Sequence, residues 1–209
     1  MGQRKGVLLI DIGVVNALDD LVVWVSVALS QGCEEALGPF TGKIRGQASA
    51  SRAMATIGKQ LSQRVPGIKG RIFRKSLEEA LFEAADGSYE SHDFDLVGGL
   101  CKFRDRRGIS GFIELFLSLY VFNAVWFEIQ DSVRLRARDT RSFIASMESV
   151  ERFCFKLVRS ELRRLEKKKE PNQFWKAAQT GGEIMRALED RLLECTQQAP
   201  IHAQGEKHD

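Results

Sequence analysis

The chain has 209 residues, 44% apolar and 28% charged, with a net charge of +3. These are the proportions of an ordinary soluble globular protein, long enough for one large domain with a sizeable core. The four cysteines (Cys33, Cys101, Cys154, Cys195) form no CxxC pair and have no histidine at metal-ligand spacing. That pattern argues against a disulfide framework or a zinc site and for reduced thiols in an intracellular, cytoplasmic protein.

The opening MGQRKGVLLIDIG places two basic residues before an apolar run, as a signal peptide does, but Asp11, Asp19 and Asp20 interrupt it. Residues 7–12, VLLIDI, read as a short N-terminal strand or as the entry to a helix. Asn16 is the expected cap of the next helix, whose face is Leu18, Leu21, Val22, Val25, Ala28 and Leu29, with Gly32 as the stop.

Residues 36–76 read as a basic, glycine-containing connection. From Ala36 to Leu77 there is no Asp or Glu but there are nine cations: Lys43, Arg45, Arg52, Lys59, Arg64, Lys69, Arg71, Arg74 and Lys75. The rest of the chain is therefore net acidic. A short helix with a thin apolar face is expected over roughly 50–63. Ser76 and Glu79 have the spacing of a capping box, which predicts a helix from Ser76 to about Ala85.

GFIELFLSLYVFNAVWFEIQ (111–130) is the most apolar segment. On a helical wheel Glu114, Ser118, Glu128 and Ser132 form a narrow strip with Asn123 opposite, so a helix over 111–135 should be surrounded on nearly every side. A membrane-associated protein using 111–130 is the alternative. Glu114, Asn123 and Glu128 oppose it, and the arginines on both flanks give no inside–outside asymmetry.

A helical hairpin is predicted over 139–197. Asp139 caps a helix with apolar positions Phe143, Met147, Val150, Cys154, Val158, Leu162 and Leu165, ended by KKK (167–169) and Pro171. Its second helix, capped by Asn172, carries an a/d seam over 172–195 through Ala178, Gly181, Met185, Leu188, Leu192 and Cys195, suited to a neighbouring helix or a second copy of the chain. Gly181-Gly182 inside this seam implies a close helix crossing. Residues 196–209 carry no core pattern and are expected to be a disordered tail.

Few residues point to chemistry. His92, with Asp93 and Asp95, is the candidate acid–base cluster for an enzymatic reading. As a calcium loop the segment fails at Ser91 and Val97. GIKGRIFRKS ends like a phosphate-binding loop but has Lys69 and Arg74 where glycines are required. No motif calls for a metal or a cofactor, and no catalytic role is assigned.

The expectation is a mostly α protein, an antiparallel bundle around 111–135 forming a single helical domain over 1–195. Its function is expected to be non-enzymatic interaction or regulation, with the nine cations meeting nucleic acid phosphate or another polyanion. The competing reading pairs them with acidic neighbours such as Asp19, Asp20, Glu78 and Glu79.

Overall fold

The computed structural model describes residues 11–32, 35, 47–85, 96–168 and 180–198. All regular structure among them is α-helical, and it forms a bundle. Residues 7–10 lie outside the described residues, as do 172–179 and 199–209. Asp11 and Ile12, the end of the expected strand, instead open the first helix.

Helix α1 spans Ile12–Ser30, capped by Asp11, whose Oδ1 accepts the Gly13 N–H at 2.8 Å. Asn16, the expected cap, lies inside this helix and is exposed. A carboxylate one residue before the apolar periodicity begins is as good a start signal as Asn16, and it comes earlier.

The described part of the basic connection, 47–76, is largely helical. Helix α2 runs Gln47–Leu61 and α3 runs Gly67–Ala84. Ser76 therefore sits mid-helix and opens nothing. Its spacing to Glu79 imitates a capping box because residues three apart share a helix face. Both serve Asn123, whose Nδ2 donates to Ser76 Oγ at 3.0 Å and Glu79 Oε2 at 2.9 Å. Asn123 Oδ1 accepts from Lys75 Nζ at 3.2 Å, so a buried amide is satisfied on both sides.

Helix α4 spans Leu96–Arg136 but is broken at Gly108 (φ 64°, ψ −165°), a combination almost confined to glycine. The bend is sharp. Gly99 packs on Ala85, while Asn123 bonds Glu79, only six residues before Ala85 on α3. In a straight helix Gly99 and Asn123 would be about 36 Å apart, far beyond what those contacts allow. The arms also meet through Phe103 and Phe112, with ring centroids 6.3 Å apart.

The second arm, Ser110–Arg136, is the central helix expected over 111–135. Phe73 of α3 packs edge-on against its Phe116 and Tyr120 at 4.9 and 6.0 Å. Helix α5, Thr140–Glu166, opens with a capping box in which Asp139 Oδ1 accepts the Ser142 N–H at 2.7 Å. It runs antiparallel to the second arm, with Trp126 against Phe143 at one end and Glu114 against Arg159 towards the other. Cys154, Val158 and Leu162 of the expected stripe are buried.

Helix α6, Thr180–Gln198, packs on α1 and α5. The described seam residues Met185, Leu188 and Leu192 are buried inside the chain itself. The close crossing is present: a Cβ on Gly181 would lie 2.7 Å from Asp19 Oδ1. That same oxygen accepts the Gly181 N–H at 2.8 Å, so α1 caps α6.

Candidate anion-binding surface

Helices α2 and α3 form a hairpin that carries seven of the nine sequence-selected cations; Lys43 and Arg45 lie outside the described residues. Helix α2 turns Ala53, Met54 and Ile57 inward, a thin apolar face that suffices for one side. Arg52 and Lys59, seven residues apart, lie on the opposite side with Ala55 and Thr56 between them, and all four are exposed. Arg74 packs against this helix at Gly58, where an added Cβ would be 3.0 Å from Arg74 Cγ. Arg71 is exposed one turn before Arg74.

The cations divide into two groups. Arg64 lies 3.7 Å from Asp20 and Lys69 lies 4.0 Å from Asp11, both reaching back to α1. Arg74 pairs with Glu78 at 3.8 Å and Lys75 with Glu79 at 3.5 Å along α3. Neutralisation within the chain thus holds for these four. Among the described residues no carboxylate pairs with Arg52, Lys59 or Arg71, so seven cations against four carboxylates leave three uncompensated. Burial raises the Glu78 carboxyl above its ordinary value; Arg74 opposes the shift and Glu79 reinforces it.

The surface offers charge without stacking. Phe73, one of two aromatic residues near the cationic segment, is fully buried against Phe116, and the other, Phe40, lies outside the described residues. His92, Asp93 and Asp95 also lie outside the described residues. Cys154 is not a nucleophile at neutral pH: burial and the nearby Glu151 carboxylate push its thiol up to about 12. The second arm of α4 is long and apolar enough to cross a membrane, but 61% of its most apolar window is buried inside the bundle.

A second cationic concentration escaped the sequence reading. Arg107, Arg159 and Arg163 line one cavity at the bend of α4. More than fifty residues separate the first from the other two, and only the bend at Gly108 and the antiparallel course of α5 bring them together. The sequence signal was limited to Gly108 and Gly111 at the start of the apolar segment. Comparison of the chain with models of protein families, with curated proteins and with solved structures finds no match.

Proposed function

We propose that the chain is a non-enzymatic helical interaction protein that meets the phosphate backbone of nucleic acid through the outer face of the α2–α3 hairpin. The observation that carries this reading is the set of three exposed, uncompensated cations, Arg52, Lys59 and Arg71, on a preformed pair of helices. Arg64 and Arg74 stay in their ion pairs with Asp20 and Glu78 and are not counted among the phosphate contacts. With Phe73 buried, contact is made to phosphate and not to base faces, and it is independent of sequence.

The test is fluorescence anisotropy with a nonspecific duplex across a salt series. Three phosphate contacts give a slope of log K against log salt of about −2.7. The Arg52→Ala/Lys59→Ala/Arg71→Ala variant should bring that slope close to zero, whereas Arg64→Ala, which removes a paired cation, should change it by less than one contact. Absence of binding at low salt, or an unchanged slope in the triple variant, refutes the proposal.

A further inference from the structure

At the bend of α4, on the side covered by α5, lies a cavity of about 330 Å³. Arg107, Ser110, Gly111 and Glu114 of α4 and Arg159 and Arg163 of α5 line it. It shares no residue with the α2–α3 face.

Three exposed arginines thus line one open depression that has a single carboxylate among its described lining residues. Glu114 is already engaged, its Oε1 accepting the Arg159 Nε–H at 2.7 Å, and this bond holds the Arg159 fork in place. Ser110 Oγ donates to Glu166 Oε1 at 2.5 Å and ties the restart of α4 to the last turn of α5. Arg107 lies 6.0 Å from the Phe103 ring centroid, and neither it nor Arg163 forms an ion pair with any described carboxylate.

Three arginines against Glu114 leave the described lining at +2, with the Glu166 carboxylate turned to Ser110 behind it. A phosphomonoester carries about −1.5 to −2 near neutral pH and offers three terminal oxygens to planar guanidinium forks. A phosphodiester has one charge and two such oxygens, and fits less well.

We propose that this cavity binds the phosphate group of a small phosphomonoester, with Arg107 and Arg163 as its main partners and Arg159, positioned by Glu114, as the third donor. The test is calorimetric titration of the full chain with glycerol 2-phosphate, ionic strength being held constant with chloride. Saturable binding at one site per chain is expected, with dimethyl phosphate about tenfold weaker or worse. Arg107→Gln and Arg163→Gln should each weaken binding about tenfold or more, while Lys102→Gln, the same charge change at an exposed α4 position outside the cavity, should not. Should the glutamine variants fail to fold, Arg107→Lys and Arg163→Lys decide, since they keep the charge but lose the fork and should still bind measurably more weakly. No saturable binding by the unaltered chain, equal binding of the diester, or undiminished binding by the arginine variants overturns the proposal.

Discussion

Replacing Gly181 and Gly182 by alanine, one at a time, separates helix packing from helix propensity. A Cβ on Gly182 would lie 3.5 Å from Val15 Cγ1 and 3.8 Å from Arg186 Nη2, ordinary van der Waals contact. Backbone entropy then decides the outcome, and alanine is favoured over glycine in a helix by up to about 1 kcal/mol. A Cβ on Gly181 would sit 2.7 Å from Asp19 Oδ1 and 3.1 Å from the Val15 carbonyl oxygen. The carboxylate cannot swing aside without breaking the bond by which it accepts the Gly181 N–H. Losing that cap costs about 0.5–2 kcal/mol, and crowding the Val15 backbone costs about 1–3 kcal/mol more. These losses exceed the propensity gain, so Gly181→Ala is expected to destabilise and Gly182→Ala to stabilise. In a domain of this size each 1 kcal/mol moves Tm by about 2–4 °C. Thermal melts and urea titrations followed by circular dichroism should therefore shift in opposite directions for the two variants. Shifts of the same sign and size would show that α1 and α6 do not cross closely at Gly181.

Asn123→Ala removes the donor to Ser76 and Glu79 and the acceptor for Lys75. It should cost about 1–3 kcal/mol in urea titrations, and a loss below about 0.5 kcal/mol would mean that the amide is not holding α3 to α4. Asp139 tests the cap of α5 through pH. The Ser142 N–H and hydroxyl lower its carboxyl below the ordinary value. Its contribution is thus present above the ordinary carboxylate range and lost as pH falls through the lowered value. Asparagine caps without titrating, so Asp139→Asn should narrow the Tm difference between about pH 6 and about pH 3. An unchanged difference would exclude the cap as its source.

The parts legible in the sequence were those coded by local spacing. Asp139 followed by an unbroken apolar stripe gave α5, and Gly181-Gly182 within a seam gave the crossing. Local spacing also misled, because Ser76 and Glu79 share a face of α3 whether that helix starts there or nine residues earlier. Pro66, at the N-cap position, was the better start signal. The charge run marked the α2–α3 face, but its division into paired and uncompensated cations depends on Asp11 and Asp20, which only the packing of α1 brings close. The bend at Gly108 left almost no trace, since a positive φ is a property of the backbone that glycine permits without announcing. The arginine cavity depends on that bend and was invisible for the same reason.

The capping of α6 by α1 also bears on when the protein can finish folding as it is synthesised. Asp19 and Gly181 are 162 residues apart. At translation rates of about 5–20 residues per second, α1 leaves the ribosome about 8–30 s before its partner exists. In that interval Ile184, Met185 and Leu188 are not yet available to close the core beside α1. The nascent bundle of α1 to α5 must carry an open apolar seam until α6 arrives. Such a species is one that chaperones hold, and a chain truncated before α6 would expose that seam permanently.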